Sequence, residues 1–232
     1  MKNTSLFVPG MWFNPAGKLG QRLSEIFAMM DDMSSLGSVE TRAKAVIGYL
    51  IRHPEITTLV GHSAGCTIIE EVLKTLPKEM KISKIVLMSP PPPKGKKFGR
   101  KDPVFWAMGK YLWKMFTGKH FMLSRSDVKN LLSVSEEKVD EVMTNLKPDS
   151  GRFAREMTMR QFAKPELFFI PDGIKVAVVT SPDDRMVGGK GINVSGNTRR
   201  SFACISCGGG HLAPLQRIDN VISRLKDMSF EF

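Results

Sequence analysis

The hydrophobic positions of the chain alternate between short apolar runs and segments of helical periodicity. Six apolar runs predict buried strands, at 6–8, 26–30, 56–60, 82–88, 175–179 and 201–206. Between these runs apolar residues recur every three or four positions, as in the segment that follows Ser38, a typical N-cap. Strands that alternate with helices predict an α/β fold, a doubly wound and mostly parallel six-stranded sheet with helices on both faces.

The segment from 94 to 162 departs from this alternation because it contains helical patterns without strands. It is dense in aromatic residues and methionine between Val104 and Phe116, and a further helix is predicted to follow Ser135. We expect an inserted helical cap at 94–162 on a single core formed by 1–93 and 163–232. The apolar side chains of the cap are expected to form its own core against the sheet, and any surplus would line an acyl pocket.

Bulk composition favours one globular domain in a reducing compartment. A chain of 232 residues with 42% hydrophobic residues can bury one core. No apolar run approaches the roughly 20 residues of a membrane span, and the apolar stretch near the start is too short for a secretory signal, so we expect a cytoplasmic protein. The three cysteines give no disulfide framework. Cys204 and Cys207 form a C-x-x-C, but residues three apart in a strand face opposite sides, so a redox pair is not expected.

The formal charge of +11 is concentrated in the predicted cap. A solvated basic face is the main interpretation, because no specific nucleic-acid motif accompanies the charges. Weak association of the basic cap with anionic surfaces, or an acidic substrate, are the alternatives. The basic residues are Lys94, Lys96, Lys97, Arg100, Lys101, Lys110, Lys114, Lys119, Arg125 and Lys129.

The segment Gly61-His62-Ser63-Ala64-Gly65 lies between an apolar run and a helical pattern. A serine at a sharp turn from strand to helix is the arrangement of a nucleophile elbow, in which glycines allow the tight turn and the hydroxyl projects at the carboxyl edge of the sheet. The backbone amide of Ala64 then opens the helix, where it would face a developing oxyanion.

Three candidate catalytic side chains follow the carboxyl ends of predicted strands, where ligands bind in sheets of this kind. Ser63 follows the third strand, Asp183 and Asp184 the fifth, and His211 the sixth. An imidazole held by a carboxylate can take the proton of a serine hydroxyl, so these residues form a candidate triad. Asp184 is favoured as the acid because Asp183 is better placed to hydrogen-bond within the turn, but Asp183 stays open as the alternative.

The other histidines are weaker candidates for the base. His53 is predicted at the amino edge of the sheet, and His120 falls in the cap, where a solvated surface role is favoured. His62 is expected in the turn beside the nucleophile, where it cannot fold back onto the hydroxyl. His62 and Trp12 are instead candidates to line the substrate pocket.

Four motifs together resemble those of the α/β-hydrolase superfamily with a helical cap, and the resemblance spans nearly the whole chain. They are Val8-Pro9-Gly10-Met11, Gly61-His62-Ser63-Ala64-Gly65, Pro182-Asp183-Asp184-Arg185-Met186-Val187 and Gly209-Gly210-His211. The resemblance implies a serine hydrolase with Ser63 as nucleophile, His211 as base and Asp184 as acid. It also implies an oxyanion hole formed by the backbone amides of Met11 and Ala64.

Several features depart from the family pattern. Pro9-Gly10 stands where a His-Gly pair is common, and Cys66 replaces a frequent glycine. Two strands usual at the amino end are lacking, which implies a minimal six-stranded version of the fold. The segment 188–197 is glycine-rich where a helix is usual.

These features predict a hydrolase that cleaves a carboxylic ester or thioester of a small to medium acyl substrate through an acyl-enzyme. Lactone hydrolysis or carbon–carbon bond hydrolysis on the same triad, and slow-turnover ligand binding, are alternatives. Binding of nucleic acid or an anionic membrane by the basic surface is a third class. No metal-ligand spacing or phosphate-binding loop is present in the sequence, so no cofactor is expected. The sequence gives no indication of an oligomeric state.

Overall fold

The computed structural model describes residues 3–91, 103–160, 168–186, 202–228 and 230, the side chains of 103–108 and 202 excepted. Several sequence predictions therefore lie outside the described residues. They are the glycine-rich segment 188–197, Val187 at the end of the motif 182–187, and the basic residues Lys94, Lys96, Lys97, Arg100 and Lys101.

The described strands form one six-stranded sheet, as the apolar runs predict, and every neighbouring pair is parallel. The strands are β1 (Ser5–Val8), β2 (Ala28–Met29), β3 (Thr58–His62), β4 (Lys84–Met88), β5 (Lys175–Thr180) and β6 (Phe202–Ser206). Their order across the sheet is β2-β1-β3-β4-β5-β6. All carboxyl ends therefore lie at one edge, which is where the candidate catalytic residues follow β3, β5 and β6.

Helices connect these strands, and their ends follow local signals in the sequence. Ser38 caps α2 as predicted, because its hydroxyl accepts a hydrogen bond from the Thr41 amide at 3.1 Å. Ser135 precedes a 3₁₀ turn at Glu136–Lys138, which then leads into α6. The helices are α1 (Lys18–Ser24), α2 (Val39–Arg52), α3 (Ala64–Thr75), α4 (Pro103–Thr117), α5 (Arg125–Leu131), α6 (Val139–Thr144), α7 (Gly151–Met159), α8 (Ala213–Gln216) and α9 (Ile218–Asp227).

Several strand boundaries differ from the prediction by one or more residues, and two of these differences have a clear cause. The second strand is shorter than 26–30, because the amides of Ile26 and Phe27 both donate to the carbonyl of Leu23 and extend the end of α1. The third strand runs to His62, where its ladder with β4 pairs His62 with Met88. The expectation that His62 lies in the turn is therefore wrong: it is the last residue of the strand, and Ser63 alone forms the turn.

Alternate residues of each strand pack against opposite helical layers, which confirms the doubly wound architecture. One face packs against α2 and α3, and the other against α1, α8 and α9. The strand residues on the first face are Leu6, Val8, Leu59, Ile85, Leu87, Val176 and Val178. Those on the second face are Phe7, Val60, Val86, Met88, Ala177, Val179, Ala203 and Ile205.

Helices α4 to α7 lie between β4 and β5 in the chain and form a third hydrophobic cluster. Buried members of this cluster include Tyr111, Met115 and Phe121 from the helical segment, together with Trp12 and Leu212 from the sheet connections. Not every aromatic of the segment is used in this way, because Trp113 is 72% exposed and Phe116 67% exposed. The division into a core and a cap at 94–162 stays a prediction.

The described basic residues of this segment are partly neutralised by ion pairs. Lys110 lies 2.9 Å from Asp127, and Lys129 lies 2.6 Å from Glu136. Arg125 pairs with Glu136 and with Asp140. The pairs of Lys129 and Arg125 are exposed on both sides and contribute little to stability, whereas Asp127 is buried. All of these pairs lower the positive potential of the surface that they occupy.

Close packing between α3 and β1 generates a stability prediction. A Cβ on Gly65 would lie 2.1 Å from the carbonyl oxygen of Val8, whereas a Cβ on Gly48 in α2 would meet only the end of Arg52 at 3.8 Å. We expect Gly65→Ala to lower the free energy of unfolding by about 1–3 kcal/mol or more, because main chain must move. Gly48→Ala should raise it by about 0.4–1 kcal/mol. Denaturant unfolding of both variants tests this; equal stabilities would contradict it.

Candidate active site

Ser63 occupies a strained turn between β3 and α3. Its backbone has φ 52° and ψ −127°. Residues other than glycine seldom adopt this conformation, which costs on the order of 1–3 kcal/mol. Two hydrogen bonds hold the turn, from the Ser63 amide to the Met88 carbonyl and from the Cys66 amide to the Ser63 carbonyl, both at 2.9 Å. The strain persists because the strand before and the helix after are both packed in the core.

The two glycines of the motif allow α3 to lie close to the sheet. A Cβ on Gly61 would lie 2.7 Å from Ile69 Cδ1 and 3.0 Å from the Cys66 nitrogen, and Gly65 lies against the end of β1. Cys66, which replaces a frequent glycine, is fully buried and its thiol contacts the Gly61 carbonyl at 3.3 Å. Burial raises the pKa of the Cys66 thiol, which keeps it protonated and unreactive.

His211 follows β6 on a loop whose backbone is held from two sides. Its amide donates to the Leu132 carbonyl at 3.0 Å, and its carbonyl accepts from Ser89 Oγ at 3.2 Å. Gly210 must be a glycine here because a Cβ would lie 2.1 Å from that same Leu132 oxygen. The side chain of His211 is buried, so the ring orientation is determined by packing.

Asp184 lies directly against the imidazole. Its Oδ2 is 2.7 Å from His211 Nδ1, and its Oδ1 accepts the Met186 amide at 2.9 Å. A carboxylate can only accept, so Nδ1 donates and Nε2 is left with the lone pair that a base needs. Asp183 makes different contacts: its carbonyl accepts from Ser133 Oγ at 2.8 Å and its carboxylate from the Gly209 amide at 3.3 Å.

The sheet places Ser63 at the same edge as the His211–Asp184 pair, and His62 connects the two. The His62 and His211 rings lie 4.9 Å apart between centroids, and His62 Nε2 donates to the His211 carbonyl at 3.0 Å. The Ser63 hydroxyl itself makes no hydrogen bond to another described residue. The His211–Asp184 pair therefore contacts His62, the residue that precedes Ser63. The His211 imidazole makes no direct hydrogen bond to the Ser63 hydroxyl.

The backbone amides expected to form an oxyanion hole come from adjacent segments. The turn after β1 passes against the elbow, since a Cβ on Gly10 would lie 2.9 Å from Ser63 Cβ and 3.5 Å from the Ala64 nitrogen. Met11 follows Gly10 directly, and Ala64 is the first residue of α3. Within the described part of the chain, neither amide donates to a protein acceptor. Both amides are therefore available, beside Ser63, to donate a hydrogen bond to a bound group.

The two candidate pocket residues, Trp12 and His62, are each only 3% exposed. The Trp12 indole packs edge-on against Phe121 with 5.6 Å between centroids, and its Nε1 donates to the Phe121 carbonyl at 3.1 Å. Burial lowers the pKa of His62 to about 3, with a smaller contribution from the neighbouring His211, so the ring is neutral at pH 7.

The remaining histidines lie in other parts of the structure. His53 caps the end of α2 and stacks on Tyr49 with 4.3 Å between centroids. His120 Nε2 contacts the Ser34 carbonyl at 3.0 Å on the surface. Sequence reasoning did not single out Ser89, although it too follows a strand at the carboxyl edge and could have been found by the same rule.

Two other kinds of feature, a metal-ligand cluster and a membrane-spanning helix, are absent from the described ranges. No group of three or more histidine, cysteine, aspartate or glutamate side chains there is arranged to hold a metal ion. No helix in those ranges has the length and apolar character required to cross a membrane. All three cysteines are free, with Cys204 exposed and Cys207 buried.

Comparison with known proteins finds similarity at the level of structure. No protein-family model and no curated protein sequence matches the chain. A lipase-esterase related protein from Clostridium acetobutylicum superposes with a TM-score of 0.63 at 15% identity, over 97% of this chain and 93% of that one. The monoacylglycerol lipase of Paleococcus ferrophilus gives 0.61 at 19% identity, over 95% and 92%. Polyneuridine aldehyde esterase gives 0.57 at 15% identity, over 99% and 100%.

The chain therefore has the α/β-hydrolase fold, in agreement with the resemblance carried by its motifs. The similarity extends over nearly the full length of each neighbour, and the six parallel strands form the shared framework. At these identities the similarity defines the architecture and not the chemistry, which depends on the residues at the sheet edge.

The depressed pKa of His62 predicts how stability varies with pH. An unfolded histidine binds a proton below about pH 6.5, whereas buried His62 stays neutral to about pH 3, so unfolding takes up a proton in this window. As the pH falls from 6 to 4, this one group should therefore lower the free energy of unfolding by about 1.4 kcal/mol for each pH unit. The contribution is fully present above pH 6.5.

Denaturant unfolding at several pH values tests this on wild type and His62→Gln, whose amide can still donate to the His211 carbonyl. With falling pH, the free energy of unfolding of His62→Gln should decrease less steeply than that of wild type, by about 1.4 kcal/mol per pH unit. Parallel curves for the two proteins would contradict the assignment of a neutral, buried His62.

Proposed function

We propose that the protein is a serine hydrolase that cleaves carboxylic esters or thioesters of small to medium acyl groups. Ser63 is the nucleophile, His211 the general base and Asp184 the residue that orients the base. The single observation that carries the proposal is the 2.7 Å contact between His211 Nδ1 and Asp184 Oδ2 beside the strained Ser63 turn. A buried carboxylate–imidazole pair at the carboxyl edge of the sheet, next to a serine elbow, is suited to acyl transfer.

The reaction would proceed in two acyl-transfer steps. His211 Nε2 takes the proton of Ser63 as the hydroxyl oxygen attacks the substrate carbonyl, and the resulting oxyanion accepts hydrogen bonds from the Met11 and Ala64 amides. His211 then gives this proton to the departing alcohol or thiol, which leaves an acyl-serine. A water molecule, deprotonated by the same imidazole, attacks the acyl carbon. The imidazolium then returns this proton to the Ser63 oxygen as it departs, which releases the carboxylic acid and the free serine.

The geometry supports these roles, although the hydroxyl and the imidazole are not hydrogen-bonded. Catalytic hydrogen bonds are often long without substrate and tighten in the Michaelis complex. Asp184 holds Nδ1, which leaves Nε2 as the only ring nitrogen able to act as base. The adjacent His62 is kept neutral by burial, so it adds no positive charge that would compete with the imidazolium formed at His211.

The structural neighbours support the choice of bond. Those neighbours are named a lipase-esterase related protein, a monoacylglycerol lipase and polyneuridine aldehyde esterase, and lipase and esterase are names for enzymes that hydrolyse carboxylic esters. Buried apolar side chains of the helical segment after β4 pack with Trp12 in the turn after β1, and we propose that further apolar side chains of this segment line an acyl pocket. We propose that the substrate is a small molecule. We also propose that the segment 94–162 is a cap that covers the site.

Labelling with a fluorescent fluorophosphonate probe tests the assignment of the nucleophile. Wild type should be labelled at one site, and both Ser63→Ala and His211→Ala should lose labelling. Hydrolysis of p-nitrophenyl acetate to octanoate gives the rates. Asp184→Asn should lower kcat by about 10³- to 10⁴-fold, because the amide favours the wrong tautomer of the imidazole.

Asp183→Asn is the matched control, since it changes the neighbouring carboxylate, whose one hydrogen bond to a described residue comes from the backbone amide of Gly209. We expect its kcat to fall by less than about tenfold. Undiminished labelling of Ser63→Ala, or equal losses in the two aspartate variants, would contradict the proposal.

A further inference from the structure

A buried ion pair connects α2 to the loop before α7. Arg42 and Asp149 are 2% and 5% exposed in their side chains, and Arg42 Nη2 lies 2.5 Å from Asp149 Oδ1. A second bond joins Nη1 to Oδ2 at 3.3 Å. The guanidinium also donates through Nε to the Leu36 carbonyl at 3.0 Å and lies 3.6 Å above the Phe153 ring. The carboxylate is thus held in one orientation by a bidentate partner that is itself immobilised.

The same carboxylate holds the backbone of Trp12. Asp149 Oδ2 accepts the Trp12 amide at 3.1 Å, while the Trp12 carbonyl accepts the Lys147 amide at 2.8 Å. The indole Nε1 donates to the Phe121 carbonyl. Trp12 has φ 59°, which is unfavourable for a bulky side chain, and these three bonds are what maintain it.

The orientation of Trp12 is passed directly to Met11. The Trp12 amide nitrogen belongs to the peptide that joins the two residues, so a bond to that nitrogen restricts the rotation of the Met11 backbone. On the other side, Gly10 is wedged against the elbow, close to Ser63 Cβ and the Ala64 nitrogen. The Met11 amide therefore lies between two fixed points, one at the elbow and one at Asp149.

We propose that Asp149, clamped by Arg42, is a positioning residue that holds the Met11 amide where the oxyanion forms. The inference rests on the proposed function, because it assigns a role within that oxyanion hole. A carboxylate is suited to this task, since its two oxygens accept from Arg42, from the Trp12 amide and from the Ser150 amide at 2.6 Å at once. An asparagine cannot satisfy Trp12 and Arg42 together, because its NH₂ group would face a donor.

The test is the kinetic effect of replacing the substrate carbonyl oxygen by sulfur. An oxyanion hole shaped for oxygen discriminates against the thionoester, so the ratio of kcat/KM for ester over thionoester measures how well the hole is formed. In Asp149→Asn we expect kcat for the ester to fall by about 10- to 100-fold with KM changed by less than about threefold. The ester-to-thionoester ratio should fall by about tenfold. Arg42→Lys should lie between this variant and wild type.

Glu70→Gln is the matched control. Glu70 is also a buried carboxylate that bonds an arginine and a backbone amide, Arg160 at 3.2 Å and Phe169 at 3.2 Å, but within the described residues it makes no hydrogen bond to the turn after β1. A loss of folded protein lowers both rates equally and leaves the ratio at the wild-type value. A wild-type ratio in Asp149→Asn, as in Glu70→Gln, would overturn the positioning role.

Failure of this inference is distinguishable from failure of the proposed function. If Ser63 is not the nucleophile, wild type itself gives no labelling that depends on Ser63. If only the positioning role is wrong, wild type is labelled at Ser63 and Asp149→Asn reacts with the same discrimination between oxygen and sulfur. Slower labelling of Asp149→Asn at the same serine is the expected result.

Discussion

The hydrogen bond between His211 Nδ1 and Asp184 Oδ2 is the interaction on which the account of this site depends. It joins the connections that follow two adjacent strands, β5 and β6, and determines which ring nitrogen carries the proton. Loop contacts support it: the Leu132 carbonyl and Ser89 hydroxyl hold the His211 backbone, and the Met186 amide holds the second carboxylate oxygen. A buried acid–base pair with this many partners is preorganised, which lowers the reorganisation needed during reaction.

Close approach of backbone segments is the second constraint. Gly10, Gly61 and Gly65 bring the turn after β1, the end of β3 and the start of α3 within contact distance, where a Cβ would collide with main chain, with Ser63 or with the side chain of Ile69. The same contacts bring the Met11 and Ala64 amides beside the nucleophile candidate. The strain at Ser63 and Trp12 is maintained by this packing and by the Arg42–Asp149 pair, so stability and the proposed chemistry rely on the same contacts.

Much of this architecture could be predicted from sequence because it depends on local signals. Apolar runs predict the six strands. The polar residues that follow the strand ends include the sheet-edge candidates Ser63, Asp184 and His211. The position of His62 could not be predicted, since only pairing with β4 decides that the strand continues to that residue. Arg42 and Asp149 are 107 residues apart, and each has the appearance of an ordinary surface charge in the sequence. Only the tertiary fold buries them together.

A crystal structure of the protein after reaction with a small phosphonate inhibitor tests the central claim most directly. The account predicts phosphorus bonded to Ser63 Oγ, the phosphoryl oxygen within about 3 Å of the Met11 and Ala64 nitrogens, and His211 Nε2 within hydrogen-bond reach of the Ser63 oxygen. An adduct on any other side chain, or an imidazole that stays beyond hydrogen-bond reach of the bonded oxygen, would contradict it.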